Sequence, residues 1–355
     1  MKKIVLTGGG TAGHVTPNIA LLPELKKLGY DVYYIGSKDG IEKKLISDFN
    51  IPYYGVATGK LRRYIDIKNI SDPFRVIKGY GEARKILKEI KPDVVFSKGG
   101  FVSVPVVRAA SSLKIPCIIH ESDMTPGLAN KICIPVAKKV CCNFPETVNN
   151  LPKDKAELTG SPIRAELLSG DKEAALKLCG FDSGTPVIMV IGGSSGSACI
   201  NKVVRDALPK LLPDFQIVHI CGNEKIDNLL LNKKGYAQFE YLKGDLKDVL
   251  AMADIVISRA GANAICELLA LKKPNLLIPL SAKASRGDQI LNANSFEAQG
   301  YSLVLDEDDL DVTTLVDKVY ELYCNRMKYT EAMSNSTQVN AISKIIALIE
   351  EQVNN

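Results

Sequence analysis

The chain has 355 residues, 46% of them hydrophobic, and this length predicts roughly two domains that each bury a core. A net charge of +5 without a concentrated basic run argues against a nucleic-acid-binding protein. Nine cysteines without a C-x-x-C spacing are expected to be reduced core residues, and three histidines argue against a zinc site built by the protein. No apolar run reaches about 18 residues and the sequence starts directly on a strand, so we expect a cytoplasmic protein whose membrane contact is at most peripheral.

The first predicted strand, Ile4–Thr7, runs into the glycine-rich turn GGGTAGH at residues 8–14. Glycine lets backbone N–H groups approach a phosphate, and a following helix N-terminus adds partial positive charge. The glycine spacing also fits the dinucleotide fingerprint, which requires an acidic residue at the end of the second strand. That strand ends in Gly36-Ser37-Lys38, so a phosphate other than that of a dinucleotide is favoured, and a nicotinamide-dependent oxidoreductase is the weaker alternative.

Eight β-rich runs separated by amphipathic segments predict the fold class: 4–7, 32–35, 94–97, 117–120, 187–191, 216–220, 255–258 and 276–279. Apolar strands that alternate with helices are typical of parallel sheets covered on both faces, so we expect an α/β protein with two doubly wound domains. The break at Gly160-Ser161-Pro162 places the boundaries at 1–162 and 163–340, with residues 341–355 as a C-terminal helix that packs back across the domains.

The histidines differ in their predicted roles. His14 follows the first glycine turn at a helix start, where a neutral ring suits a general base, although a structural cap is the alternative. His120 opens a loop with Glu121 and Asp123 at a strand end, and we expect it at the open edge of the cleft. His219 lies inside an apolar strand and is expected in the core.

Glycine-rich turns recur after the strands at 94–97, 187–191 and 255–258, and in doubly wound sheets such turns face a ligand cleft. Glu267 lies one to two turns into the helix after the last of these, where a carboxylate can accept two hydrogen bonds from a ribose. Asp288 and Gln289 begin the next helix and could select sugar hydroxyls. The alternatives are a solvated helix residue for Glu267 and a simple helix N-terminal charge for Asp288.

Seven motifs, in order and spacing, resemble the family 28 glycosyltransferases of bacterial peptidoglycan synthesis: GGGTAGH, SKGGFVSVP, HESDMTPGLANK, TGSPIR, GGSSGS, SRAGANAICE and RGDQILNA. The resemblance covers residues 4 to about 305. It implies a GT-B fold, with two Rossmann-like domains facing a cleft. It also implies an inverting transfer of N-acetylglucosamine from UDP-GlcNAc to lipid I (undecaprenyl-diphospho-muramoylpentapeptide), forming lipid II, without a cofactor or an active-site metal.

The resemblance further assigns UDP-GlcNAc to the C-terminal domain and the lipid diphosphate to the N-terminal domain. The implied donor-binding residues are Thr11, Ala12, Gly13, Arg164, Ser194, Ser195, Ala262, Asn263, Ala264, Glu267, Asp288 and Gln289. The implied acceptor-diphosphate residues are Gly9, Gly10, Gly99 and Gly100. His14 is the candidate general base and Asp123 the second candidate. Some members of the family carry asparagine at the position of Asp123 and glutamine at that of Asp288, which leaves open an extra carboxylate near the base.

Because the acceptor carries a polyprenyl chain, the resemblance implies peripheral attachment to the cytoplasmic face of the cell membrane. The segment 59–85 interleaves apolar and basic residues, among them Arg62, Arg63, Phe74, Arg75 and Ile77, and is the predicted contact. The alternative is a surface helix whose apolar face packs on its own domain. Other cell-wall synthesis proteins are further candidate partners, and no nucleic acid is expected.

Two further alternatives stay open at this point. A non-catalytic protein that binds a sugar nucleotide or a lipid phosphate would use the same residues. An epimerase acting on UDP-GlcNAc would use the same fold and release free sugar without an acceptor.

Overall fold

The computed structural model describes residues 2–59, 68–193, 195–285 and 287–354, with the backbone alone at 68–73. These residues divide into two compact units, Met1–Arg164 with Asn340–Asn355, and Ala165–Val339. Ser194, predicted in the donor site, and Arg62 and Arg63, predicted at the membrane, lie outside the described residues.

The first unit contains a parallel sheet with helices between its strands. Its described strands are β1 (Lys3–Thr7), β2 (Asp31–Ser37), β3 (Tyr53–Val56), β4 (Val94–Ser97), β5 (Cys117–Glu121), β6 (Lys139–Cys142) and β7 (Ala156–Leu158). Its helices up to the unit boundary are α1 (Thr16–Lys27), α2 (Ile41–Ser47), α3 (Lys68–Ile90), α4 (Ser103–Ser112), α5 (Leu128–Cys133) and α6 (Pro145–Asn149), with short 3-10 turns at 12–14 and 134–136.

The second unit repeats this plan. Its described strands are β8 (Val187–Ile191), β9 (Gln216–Ile220), β10 (Tyr236–Phe239), β11 (Ile255–Ser258), β12 (Asn275–Leu277) and β13 (Ser302–Val304). Its helices are α7 (Lys172–Cys179), α8 (Ala198–Leu211), α9 (Leu246–Met252), α10 (Ala262–Ala270), α11 (Asp288–Ala298), α12 (Val312–Cys324) and α13 (Arg326–Ser334), with 3-10 turns at 165–168, 228–230, 307–309 and 337–340.

Both sheets are wound in the same order, which fixes where each can hold a ligand. The first runs β3-β2-β1-β4-β5-β6-β7 and the second β10-β9-β8-β11-β12-β13, with every described pair parallel. The winding reverses between β1 and β4, and between β8 and β11, and ligands bind at this switch point beyond the strand carboxyl ends. All four glycine-rich turns predicted from the sequence follow these four strands. The α/β prediction with two doubly wound sheets is confirmed.

The C-terminal helix α14 (Ala341–Asn354) belongs to the first unit, although residues 165–339 separate it from the rest of that unit. Ile345, Ile346 and Ile349 are buried in the same cluster as β1 and α1. At the helix end, the Glu350 carboxylate accepts hydrogen bonds from Lys2 at 2.6 Å and from the Tyr30 hydroxyl. Burial of these isoleucines makes α14 part of the first core.

Most cysteines are buried as expected, but the prediction was wrong for Cys199 and Cys324, whose side chains are exposed. Both cysteines lie on the solvent-facing sides of amphipathic helices, α8 and α12. A cysteine at such a position does not contribute to the packing of the core. Within the described residues, no helix combines the length and apolar character needed to cross a membrane.

Candidate active site

A cavity of about 660 Å³ opens at the switch point of the second sheet. Gly192, Gly193 and Ser195 line it from the turn after β8, Gly261 and Ala264 from the start of α10, and Gln289 from the start of α11. Two of the helices that begin at this cavity, α8 and α10, direct the positive ends of their dipoles toward it, and α10 has no side-chain cap at Gly261. This arrangement suits an anionic ligand.

The turn after β8 is braced by protein groups. The Ser197 side chain caps α8 by accepting a hydrogen bond from the Ile200 N–H at 3.4 Å. Lys225 Nζ donates to the carbonyl oxygens of Ser195 at 2.7 Å and of Gly196 at 3.4 Å. In a trans peptide bond the C=O of one residue and the N–H of the next residue point in opposite directions. Since Lys225 binds these two carbonyl oxygens, the N–H groups of the same two peptide bonds point away from Lys225.

Arg259, which follows β11, is the buried cation of this cavity. Its guanidinium donates to the carbonyls of Ile278 and Pro279 at 3.1 and 3.2 Å and to Ser197 Oγ at 2.8 Å, and it forms an ion pair with Glu307. Partial burial acts to raise the pKa of Glu307, but the hydrogen bonds from Arg259 and the Ser281 N–H outweigh it and hold that pKa below its usual range. The sequence analysis did not single out this pair, whose members are 48 positions apart.

Among the predicted donor residues of the second unit, Ser195, Ala264 and Gln289 line this cavity. Ala262, Asn263 and Ala264 form the first turn of α10, and Glu267 lies one turn further along, half-buried. Asp288 and Gln289 form the first turn of α11, and Gln289 Oε1 accepts from the Leu280 N–H at 3.0 Å. Arg164 is half-buried and is the last residue of the segment Met1–Arg164 of the first unit.

A second cavity of the same volume in this unit is lined by Lys202, Arg205 and Asp227, among others, and includes no glycine-rich turn. Of these two cavities, the one at the switch point is lined by the glycine-rich turn after β8. His219, nearby in sequence, is buried and bonded to Tyr236 and Asn201 at 2.8 and 3.0 Å, so the prediction of a core residue is confirmed.

In the first unit, the turn after β1 holds His14 against charged groups. His14 Nδ1 lies 3.0 Å from Thr11 Oγ1, so a proton on Nδ1 leaves the Nε2 lone pair available. Burial and the nearby Lys98 ammonium lower the pKa of His14 to about 4, against the opposing charge of Glu42. The ring is therefore neutral at physiological pH, as a general base must be.

Lys98 and His120 form a buried polar pair beneath this turn. Lys98 Nζ lies 2.8 Å from His120 Nδ1 and also bonds Ser122 Oγ, and His120 Nε2 lies 2.9 Å from the Gly160 carbonyl. The ammonium can only donate, so Nδ1 accepts and Nε2 carries the proton. Burial and Lys98 lower the pKa of His120 well below its usual value, so His120 is a buried neutral residue rather than one at an open edge.

The predicted acceptor residues have partners within the protein. The Gly10 N–H donates to Glu42 Oε2 at 3.2 Å, and the Gly99 N–H to Ser97 Oγ at 3.1 Å. Side chains of the protein thus accept these two backbone N–H groups, which the sequence analysis did not anticipate. The assignment of a diphosphate to Gly9, Gly10, Gly99 and Gly100 stays a prediction. Asp123, the second base candidate, is half-buried and its N–H donates to Glu121 Oε1 at 3.0 Å.

Comparison with known proteins decides the family. Residues 4–142 match the model of the glycosyltransferase family 28 N-terminal domain, and residues 187–349 match that of the C-terminal domain. The chain belongs to glycosyltransferase family 28. It is accordingly a hexosyltransferase, and the oxidoreductase and non-catalytic alternatives fall away.

Relatives in this family are similar along the whole chain. Proteins of Lachnoclostridium phytofermentans and Lachnospira eligens are 63% and 64% identical over 351 residues, which is 99% of this chain and of each relative. Both are named UDP-N-acetylglucosamine–N-acetylmuramyl-(pentapeptide) pyrophosphoryl-undecaprenol N-acetylglucosamine transferase.

Solved structures agree on the GT-B fold. MurG of Acinetobacter baumannii is 25% identical with a TM-score of 0.76, covering 99% of this chain and all of that one. A UDP-GlcNAc 2-epimerase of Neisseria meningitidis bound to UDP-GlcNAc is 16% identical with a TM-score of 0.69, covering 99% of this chain and all of the epimerase, and shows the fold alone.

Proposed function

We propose that this enzyme transfers N-acetylglucosamine from UDP-GlcNAc to lipid I with inversion at the sugar, forming lipid II. The observation that carries the proposal is the identity of 63% and 64%, over 99% of the chain, to relatives named for this transfer. An identity this high over both units supports the same donor and the same acceptor.

On the donor side, the cavity of the second unit receives UDP-GlcNAc. The diphosphate lies at the start of α8 and α10, where helix dipoles and backbone amides stabilise the negative charge that develops on UDP as it leaves. Glu267 accepts hydrogen bonds from the ribose hydroxyls, and Asp288 and Gln289 contact the sugar. Arg259, with four hydrogen-bond partners of its own, fixes the geometry of the cavity.

On the acceptor side, His14 of the first unit takes the proton of the muramic acid hydroxyl on Nε2. The hydroxyl oxygen then forms a bond to the anomeric carbon while the bond from that carbon to the diphosphate oxygen breaks, and UDP leaves with the electron pair. The neutral His14 ring supports this role, because it can accept a proton throughout the physiological pH range.

The test is UDP release from UDP-GlcNAc with and without a lipid I analogue, together with mass spectrometry of the lipid product. We expect UDP release that depends on the acceptor, and a product heavier by one N-acetylglucosamine. Release of UDP and free sugar without an acceptor would instead indicate epimerase chemistry and would refute the proposal.

We also propose that α3 of the first unit contacts an anionic membrane surface, because the acceptor carries a long lipid. Phe74 and Ile77 are 71% and 68% exposed, three positions apart on α3, and the neighbouring Arg75 and Lys78 are exposed as well. Apolar side chains of this kind insert at the interface, and each basic group near an anionic surface adds about 1 kcal/mol.

This second proposal is tested with the double variant Phe74→Ser/Ile77→Ser and the charge variant Arg75→Glu. Both should weaken binding to vesicles that contain anionic lipid and lower activity on full-length lipid acceptor, while activity on an acceptor with a shortened, water-soluble lipid is kept. Leu229→Ser, which removes a 94% exposed leucine from the second unit, is the matched control. Equal losses on both acceptors would assign these residues to folding or to the active site.

A further inference from the structure

The most completely buried carboxylate next to the first glycine-rich turn belongs to Glu42, in the first turn of α2. Its side chain is 0% exposed. Oε2 accepts from the Gly10 N–H at 3.2 Å, and Oε1 accepts from the Ser37 N–H at 2.9 Å and from the Ser37 hydroxyl. Three donors of the protein therefore satisfy the two oxygens of this buried carboxylate.

Glycines surround this carboxylate at close range. A Cβ built on Gly9 would lie 2.5 Å from the Glu42 carboxyl carbon, and one on Gly40 would overlap with the same carboxylate. A side chain at either position would therefore displace the Glu42 carboxylate or the turn itself. The glycines at 9 and 40 are thus explained by the close approach of Glu42 without any bound ligand.

The same carboxylate links three segments that carry the site. Through Gly10 it holds the turn that continues into Thr11 and His14, through Ser37 it holds the end of β2, and its own helix α2 follows directly. Glycine-rich turns usually present their amides to a phosphate, and here a protein carboxylate accepts one of them.

We propose that Glu42 is a positioning residue, whose buried carboxylate takes the place of a ligand anion in the first glycine-rich turn and thereby fixes the Thr11–His14 segment for catalysis. This inference rests on the proposed role of His14. It predicts that the turn keeps its shape when no phosphate is bound, and that the acceptor diphosphate does not use the Gly10 amide.

Two buried charges from different elements face His14. Glu42 on α2 favours the protonated ring, and Lys98, which follows β4, disfavours it. On its own turn, His14 is bonded to the uncharged Thr11. Removing Glu42 and removing Lys98 should therefore move the titration of His14 in opposite directions.

The experiment follows the three histidine rings by NMR in full-length protein labelled at histidine, where a His14→Gln spectrum assigns the signal. We expect Glu42→Gln to lower the midpoint of the His14 titration from about 4, and Lys98→Met to raise it. Glu42→Asp keeps the charge but withdraws it by one methylene group, so the midpoint should stay near that of the wild type.

Steady-state kinetics then separates the effect of the position of the Glu42 carboxylate from the effect of its charge. Both Glu42→Gln and Glu42→Asp should lower kcat by about tenfold or more, because small displacements of a catalytic group are costly, with the KM for UDP-GlcNAc within about twofold of wild type. Glu82→Gln is the matched control. Glu82 also accepts a backbone N–H, that of Ala57 at 2.6 Å, and pairs with Lys38, but it lies away from the turn, so its variant should retain wild-type kcat.

Wild-type kcat in both Glu42 variants, or a His14 midpoint that neither Glu42→Gln nor Lys98→Met moves, would overturn the inference. If Glu42→Gln does not fold, the kcat of Glu42→Asp decides it. The NMR measurement does not depend on the reaction, so a wild-type enzyme that fails to transfer sugar would refute the proposed function and leave this test intact.

Discussion

Arg259→Met should destabilise the second unit strongly, because it leaves the partly buried Glu307 carboxylate without its cation. The two side chains are 10% and 13% exposed, and the variant also removes donors from Ser197 Oγ and from the carbonyls of Ile278 and Pro279. Breaking a buried pair costs about 3–5 kcal/mol. Glu307 keeps the Ser281 N–H at 2.9 Å, so we expect about 3 kcal/mol, the lower end of that range.

The measurement uses urea unfolding with a reporter in the second unit alone. The chain contains no tryptophan, and Tyr323, half-buried against the Phe215 ring at 5.1 Å, is a suitable place for Tyr323→Trp. In that background, Arg259→Met/Glu307→Gln should recover about 2 kcal/mol of the lost stability, because the unpaired Glu307 charge is gone.

The stability difference should also depend on pH. Glu307 has a lowered pKa in the folded state, so its contribution to the free energy of unfolding is present above its unfolded pKa and is lost as the pH falls through its folded pKa. The difference in the free energy of unfolding between wild type and Arg259→Met should therefore shrink below about pH 4. Unchanged stability in Arg259→Met, or a double variant that is simply additive, would refute the pairing.

Three further outcomes are expected of the enzyme. His14→Ala should lower turnover by about 100-fold with unchanged affinity for UDP-GlcNAc, as measured by single-turnover kinetics and calorimetry; wild-type turnover would make Asp123 the next base to test. Glu267→Ala should weaken UDP-GlcNAc binding by about 2 kcal/mol, whereas Glu297→Ala on α11 should not, and equal affinities in calorimetry would remove Glu267 from the site. Activity should persist in excess EDTA, because the proposed mechanism stabilises the leaving UDP with helix dipoles and backbone amides; complete loss, restored by a divalent cation, would contradict this.

The central strands were predictable from sequence because both of their faces are covered. β1, β4, β8 and β11 are continuous apolar runs and were predicted within a residue of their bounds. Five strands were missed, among them the edge strands β3, β7, β10 and β13, which are three or four residues long and include partly exposed positions. Short edge strands lack the apolar run that makes a buried strand recognisable.

The turns of the candidate site were predictable, but the charges that hold them were not. Glycine clusters after strands are a local signal, and all four lie at switch points of the sheets. Glu42 reads in sequence as an ordinary acidic residue at a helix start, and only its burial shows that it belongs to the turn 32 positions earlier. The roles of Lys98 and Arg259 likewise follow from contacts with residues that are distant in sequence. Composition and periodicity do not reveal such contacts.

The return of α14 to the first unit has a consequence for biosynthesis. A ribosome finishes residues 1–164 early, yet the apolar surface that Ile345, Ile346 and Ile349 cover must wait until residues 165–339 have been made. Until then the nascent first unit presents this surface to chaperones, and a message truncated before α14 would yield a chain with the whole predicted catalytic machinery but an unfinished core, a natural substrate for proteolysis.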